Sequence, residues 1–249
     1  MELIVLGSGT AVPSPGRSAS GLLIRSQGED LLLDLGPGVL ARAGTFGVDP
    51  ATLTSVLISH LHSDHVLDLV TLVQAIDCLP EKRTVPMTIV GCRGTAALIA
   101  DLLRLFPGIG PTGYRLDVRE VRDDRFDLGP WSVRTTPTGH TPDSVAFRID
   151  RARQSVAYTG DAAAIDPLVA LADGADVLVS EASHPTGGRA TDHLTPELAG
   201  RIARRAGVAR LVLTHLYPAT LEGDPRAEAA REYSGPIDLA FDGLRVAFA

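Results

Sequence analysis

Short apolar runs, rich in leucine and β-branched residues, recur along the whole chain and are separated by turn residues. Runs of this length and composition are typical of buried strands. They predict strands at residues 3–6, 21–25, 31–35, 55–59, 87–90, 116–121, 131–136, 145–149, 155–159, 177–180, 211–214, 237–241 and 244–247. Strands therefore supply most of the predicted framework.

A second pattern, with apolar residues three or four positions apart, predicts the helices. They are expected at residues 39–46, 64–78, 94–106, 163–172, 196–206 and 225–233. The helix at 196–206 is marked most clearly, because Thr195 suits the N-cap, Pro196 the first helical position and Gly207 the end. Strands with interspersed helices predict an α/β protein whose sheets are covered by helices. No repeat or low-complexity linker divides the chain, so one domain over residues 1–249 is expected.

Composition narrows the class of protein. The 249 residues are 45% hydrophobic and 21% charged, which is too apolar for a disordered chain. No apolar run is long enough to span a membrane, and no export signal is visible, so a cytoplasmic protein without a membrane partner is expected. The net charge of −7 and the aromatic content of 4% disfavour a dedicated nucleic-acid module. Cys78 and Cys92 are expected to be reduced, buried thiols.

A dense cluster of potential metal-ligating side chains follows the predicted strand at residues 55–59. It consists of His60, His62, Asp64 and His65, which lie within six positions. If the chain is still extended at His60 and His62, these two side chains share one face. Asp64 and His65 can turn back to the same point if they open the next helix. Imidazole and carboxylate groups suit zinc and related divalent ions. The alternative is a polar corner in which Asp64 only caps the helix.

These four residues match the HxHxDH signature without a gap, and the sequence resembles the metallo-β-lactamase superfamily. Segments 138–141, 158–161 and 213–216 each follow a predicted strand and are similar to the remaining family motifs. The resemblance implies a four-layer αβ/βα sandwich with two divalent ions at the sheet edge. Zinc is expected, and manganese or iron(II) fits the same donors. The implied ligands are His60, His62 and His140 for one ion, Asp64, His65 and His215 for the other, and Asp161 as the bridge.

Further motifs point to one branch of this superfamily. The loop at 7–20 and the turn at 34–38 are similar to those of the ribonuclease Z group. Asp161 stands where true β-lactamases of this fold typically carry cysteine, which disfavours antibiotic hydrolysis. Glu181 and His193 lie in segments similar to that group's Glu and His-x-Thr motifs. The resemblance implies that the Glu181 carboxylate orients His193, which acts as a general acid.

Several other side chains are candidates for supporting roles. Asp64 is expected to be a catalytic residue as well as a metal ligand. Asp34 and Asp68 are candidates to orient ligands, although Asp34 could instead stabilise its glycine-rich turn. His184 matches no motif and is expected beside the ligands or at the surface. Tyr217 could assist an oxyanion, but packing is the expected role.

The expected function is that of a dinuclear metal-dependent hydrolase. Bacterial tRNA-processing relatives insert a long arm between the two motifs that flank residues 141–160, but here two predicted strands fill this segment. A phosphodiesterase acting on small or cyclic nucleotide-like diesters, through a hydroxide that bridges the ions, is therefore the leading hypothesis. The alternatives are a lactone, thioester or carboxylic ester hydrolase, a tRNA 3′-end endoribonuclease, and a non-catalytic binding protein. Nucleic acid is disfavoured as partner, and the family resemblance implies a homodimer.

Overall fold

Fourteen strands and eight helices make up the computed structural model, which describes residues 1–187 and 192–248. The strands are β1 (Glu2–Gly7), β2 (Gly21–Ser26), β3 (Glu29–Leu33), β4 (Ser55–Ile58), β5 (Met87–Gly91), β6 (Leu116–Glu120), β7 (Arg125–Leu128), β8 (Trp131–Pro137), β9 (Val145–Arg151), β10 (Gln154–Tyr158), β11 (Val177–Glu181), β12 (Arg210–Thr214), β13 (Ile237–Leu239) and β14 (Arg245–Ala247). The helices are α1 (Val39–Thr45), α2 (Ser63–Val66), α3 (Asp68–Asp77), α4 (Thr95–Leu105), α5 (Ile165–Leu171), α6 (Pro196–Ala206), α7 (Pro218–Leu221) and α8 (Pro225–Ala230). In this described part of the chain, no helix has the length and apolarity needed to cross a membrane.

The strands form two seven-stranded sheets with matching topology. The first has the order β14-β1-β2-β3-β4-β5-β6, and the second the order β13-β12-β11-β10-β9-β8-β7. The strands from β3 to β6 are parallel, as are those from β10 to β13. Parallel strands end at the same edge of a sheet, so the residues that follow them are brought together there.

Apolar side chains fill three layers, one between the sheets and one on each outer face. The inner layer takes residues from both sheets, such as Leu3 of β1 and Phe147 of β9. The neighbouring Ile4 points to the opposite face, where α1, α3 and α4 cover the first sheet. Helices α5, α6 and α8 cover the second sheet, and Ile202 of α6 is completely buried. Burial on both faces explains the continuous apolar runs and confirms the predicted αβ/βα sandwich.

The structure departs from the predicted elements at three places. The prediction missed β7, a short edge strand with few apolar residues, and α7, a single turn after Tyr217. It also placed one helix at 64–78, where the structure has α2 and α3. The backbone N–H of Asp68 donates to the Leu35 carbonyl at 2.8 Å, and the Asp64 carbonyl accepts from Ser20 at 3.1 Å. These tertiary bonds replace the helical bond from residue 68 to residue 64.

The segment between the His140 and Asp161 motifs has no room for an inserted arm. Strands β9 and β10 pair as an antiparallel hairpin in which Arg151 lies opposite Gln154. Only residues 152 and 153 connect them. This geometry confirms the expectation that residues 141–160 consist of two strands and their short connections.

The two cysteines occupy different environments. Cys92 is buried after β5, and burial raises the pKa of its thiol to about 11. Cys78 is exposed at the end of α3, so the expectation that both thiols are buried is wrong for this residue. The side chain of Cys78 lies beyond the apolar face of α3, whose buried residues end at Ile76.

We expect one thiol per native chain to react readily with Ellman's reagent at pH 8. Cys92 should react on the order of a hundredfold more slowly than Cys78, because little of its thiol is ionised and the reagent cannot reach it. Reaction rates of Cys78→Ser and Cys92→Ser, measured before and after denaturation, assign the two phases. Equal rates in the two native variants would contradict this difference in environment.

Candidate active site

The corner after β4 places four polar side chains at the carboxyl edge of the first sheet. His60 is completely buried, and His62 is extended, with φ −67° and ψ 149°. Helix α2 begins at Ser63 and includes Asp64 and His65, both buried. The His65 carbonyl accepts from the N–H of Leu35 at 2.7 Å, which fixes this short helix on the turn after β3.

The first group of ligand atoms contains His60, His62, His140 and Asp161. All four atoms lie within 4.8 Å of one another. The Nε2 atoms of His60 and His140 lie 3.6 and 3.7 Å from Oδ2 of Asp161. Nδ1 of His62 lies 3.2 Å from Nε2 of His140. His140 reaches this point from the loop after β8, and Asp161 from the loop after β10.

The second group contains Asp64, His65 and His215, again within 4.8 Å of one another. Nε2 of His215 lies 3.3 Å from Oδ2 of Asp64 and 3.4 Å from Nε2 of His65. The other oxygen of Asp161, Oδ1, lies 3.4 Å from Nε2 of His65. Asp161 thus presents one oxygen to each group. His215, which follows β12, is held at a positive φ of 54°.

The donor set fits divalent cations. Nε2 of His60 and Oδ1 of Asp161 are buried and have no hydrogen-bond partner within residues 1–187 and 192–248. Burial and the neighbouring histidines lower the pKa of His60 far below its ordinary value, so its ring is neutral. A neutral imidazole nitrogen and a carboxylate oxygen are both acceptors, and a divalent cation satisfies several such buried acceptors at once.

Asp34 holds one of the ligands in place through a dense set of hydrogen bonds. Its buried carboxylate accepts from the backbone N–H and the hydroxyl of Ser59, and from the hydroxyl of Tyr158, each at 2.7 Å. It also lies 2.8 Å from Nδ1 of His65. When Nδ1 of His65 donates to this carboxylate, the lone pair of Nε2 points into the second group.

Asp68 does not have the orienting role considered for it. Its carboxylate accepts from the backbone N–H of Leu40 at 2.9 Å, at the start of α1. Its backbone N–H donates to the Leu35 carbonyl, as described above. The side chain therefore satisfies backbone donors of α1 and contacts none of the ligand rings.

Two further contacts fix the ring nitrogens of other histidines, and neither is predictable from the sequence. The Ser59 hydroxyl, which donates to Asp34, lies 3.1 Å from Nδ1 of His60 and can accept its proton. Nδ1 of His140 lies 2.8 Å from the carbonyl oxygen of Asp192. Each contact leaves Nε2 of the histidine free to face Asp161, as metal-ligating histidines require.

Glu181 and His193 lie at the side of the second group. Both oxygens of the buried Glu181 carboxylate lie 3.1 to 3.2 Å from Nδ1 of His193. The carboxylate also accepts from the N–H of Ala162 at 2.5 Å and from the hydroxyl of Ser183. Ser183 lies 2.9 Å from Nδ1 of His215, so one carboxylate is linked to both histidines. Burial lowers the pKa of His193, but the hydrogen bond with Glu181 and its charge outweigh burial and raise that pKa to about 9.

His184 and Tyr217, for which sequence reasoning favoured passive roles, border the same site. Their rings stack with centroids 5.1 Å apart and planes 20° from parallel. The His184 ring also meets that of His193 edge-on at 5.4 Å. The structure thus places His184 beside the site.

Comparison with known proteins identifies the family to which the chain belongs. Residues 30–216 match the model of the Beta-lactamase superfamily domain. Over 277 aligned positions, the chain is 37% identical to Ribonuclease Z of Mycobacterium avium (strain 104), across 99% of this chain and 98% of that protein. The chain belongs to the beta-lactamase superfamily, among its ribonuclease Z-like members.

Solved structures agree with this membership. The superfamily member described here is similar to the metallo-beta-lactamase fold protein YhfI from Bacillus subtilis, with a TM-score of 0.84 and 29% identity across 99% of both chains. Its fold also matches that of human tRNase Z, short form, with a TM-score of 0.82 and 24% identity across 100% of both chains. This superfamily member is a metal-dependent hydrolase, and its cluster of histidines and aspartates has the composition of a divalent-metal site.

We expect Asp34→Asn to weaken zinc affinity about 10- to 100-fold, because an amide is a poorer acceptor for the N–H of His65. Isothermal titration of the metal-free variant with zinc measures this change. Asp68→Asn is the matched control, since it alters a half-buried carboxylate that accepts from the N–H of Leu40 and hydrogen-bonds to no ligand. Equal loss of affinity in both variants would show that the effect is a general loss of stability.

Proposed function

We propose that this superfamily member is a ribonuclease that hydrolyses a phosphodiester bond of RNA, with a tRNA precursor as the expected substrate. The observation that carries the proposal is the pair of Glu181 and His193, held beside Asp161 and next to both groups of ligand atoms. The names of the relatives, Ribonuclease Z and tRNase Z, favour RNA over the small diesters that sequence reasoning put first.

In this proposal, two ions occupy the two groups of ligand atoms. When bound, divalent ions supply a nucleophile from water near neutral pH and compensate the charge that develops on phosphoryl oxygens. Zinc is expected from the nitrogen-rich donor set, and manganese and iron(II) are compatible with it. His60, His62 and His140 would hold one ion, Asp64, His65 and His215 would hold the other, and Asp161 offers one oxygen to each group. Asp64 thus acts as a ligand.

His193 supplies the remaining step, which is protonation of the leaving group. Its Nδ1 is held by the Glu181 carboxylate, so its Nε2 is the ring atom free to donate a proton. The hydrogen bond with Glu181 and its charge raise the pKa of His193, which favours the protonated ring that an acid requires. A ribose alkoxide is a poor leaving group, and protonation by His193 as the ester bond breaks neutralises it. General acid catalysis of this kind contributes about 10²- to 10⁴-fold to the rate.

A second candidate function is hydrolysis of a small or cyclic nucleotide-like diester. The two-residue connection between β9 and β10 favours this function, because it provides no arm that could grip the body of a tRNA. The net charge of −7 also offers little attraction for a large polyanion. A homodimer, implied by the family resemblance, is part of both proposals.

We expect His193→Ala to lower kcat on a precursor tRNA by about 10²- to 10⁴-fold, and to change turnover of bis(4-nitrophenyl) phosphate little. The 4-nitrophenolate ion leaves without a proton, so an acid contributes little to its release. Glu181→Gln should show the same pattern more weakly, because it leaves His193 in place without its charged partner. Metal content of each variant serves as the control.

Two results would count against these assignments. An equal loss on both substrates in His193→Ala would mean that the histidine supports the site structurally and is not the acid. Rapid cleavage of a 2′,3′-cyclic nucleotide by the wild-type protein, without cleavage of precursor tRNA, would replace the ribonuclease by the second candidate.

A further inference from the structure

The stacked rings of His184 and Tyr217, called here the aromatic platform, have no task in the reaction described above. Both side chains are partly exposed. Within the described ranges, neither the His184 ring nitrogens nor the Tyr217 hydroxyl form a hydrogen bond. Two polar rings that stack at the rim of an active site without polar partners leave edges and faces for a ligand.

The platform is held rigidly by its backbone. His184 precedes Pro185 and Tyr217 precedes Pro218, and a following proline confines a residue to extended conformations. Tyr217 has φ −66° and ψ 156°, and its N–H lies 3.4 Å from the Ser183 carbonyl. The Tyr217 carbonyl accepts from the backbone N–H groups of Thr220 and Leu221 in α7. The surface is therefore formed before any ligand binds, which lowers the entropy cost of binding.

The platform lies next to His193, the proposed acid. Its His184 ring is 5.4 Å from the ring of His193, and its Tyr217 ring is 6.3 Å from it, both edge-on. Tyr217 also meets His215 at 5.8 Å. The two rings of the platform are therefore close enough to His193 to contact a group that takes its proton from this histidine.

We propose that the aromatic platform binds the nucleobase of the leaving nucleoside by stacking, and that the enzyme thereby selects diesters with an aromatic ring on the leaving-group side. This inference rests on the proposed function in taking His193 as the acid. Stacking of a base on an aromatic side chain tolerates every base, because each has a π-face. The platform thus favours nucleotide diesters over alkyl diesters without choosing a sequence.

Equilibrium binding tests the platform without turnover. The zinc-loaded protein is titrated with adenosine 3′-monophosphate, in which phosphate and leaving nucleoside stay joined, and with ribose 3-phosphate, which lacks only the base. We expect the wild-type protein to bind the base-bearing ligand about 5- to 150-fold more tightly. Tyr217→Leu and His184→Leu should lose most of this preference, and Tyr217→Phe, which keeps the ring, should retain it.

The outcomes separate the platform from other roles of these residues. Equal affinity of the wild-type protein for the two ligands would overturn the proposal. Loss of the preference in Tyr217→Phe as well would also overturn it, since the hydroxyl and not the ring would then make the contact. If Tyr217→Leu fails to fold, His184→Leu and the wild-type comparison still decide the matter.

These titrations, together with cleavage assays, distinguish failure of the platform from failure of the proposed ribonuclease. A base preference that depends on the Tyr217 ring, in a protein that does not cleave RNA, would leave the platform standing and remove the ribonuclease assignment. Cleavage of RNA at equal rates with a normal and an abasic leaving nucleotide would support the ribonuclease assignment and overturn the platform. The abasic substrate is cleaved under the same conditions, with kcat/KM as the readout.

Discussion

The buried carboxylate of Asp161 is the constraint on which the rest of the site depends. Its two oxygens lie 3.4 to 3.9 Å from ring nitrogens of His60, His65, His140 and His193. Burial alone would raise the pKa of Asp161, but the surrounding histidines outweigh it and lower that pKa. The imidazoles cannot all be protonated at such short separations, because like charges repel. Divalent cations resolve this conflict, since they compensate the carboxylate and accept the lone pairs of the rings at once.

The fold brings these groups together through the direction of its strands. His60, Asp161 and His215 each follow a parallel strand, and the two sheets present their carboxyl edges to a common cleft. Carboxylates and hydroxyls behind the ligands then fix each ring. Asp34 holds His65, and Ser183 joins His215 to the carboxylate that holds the proposed acid. A substitution at one ligand therefore also affects the side chains that are hydrogen-bonded to it.

Much of this arrangement could be predicted from the sequence, because buried strands and the HxHxDH spacing are local signals. The break between α2 and α3 could not, since it arises from hydrogen bonds of Asp64 and Asp68 with distant backbone groups. The exposure of Cys78 depends on where α3 meets the core, which periodicity places only to within a few residues. The stack of His184 on Tyr217 joins two segments that are separated by α6 and β12, so the sequence of neither segment predicts it.

Zinc binding tests most directly the proposal that Asp161 joins two metal sites. Calorimetric titration of the metal-free protein, with elemental analysis of the product, should give two zinc ions per chain. Asp161→Asn keeps the size of the side chain but lacks the negative charge, and should bind both ions at least about 10-fold more weakly. Binding of a single ion by the wild-type protein, or of two ions with unchanged affinity by Asp161→Asn, would contradict the claim.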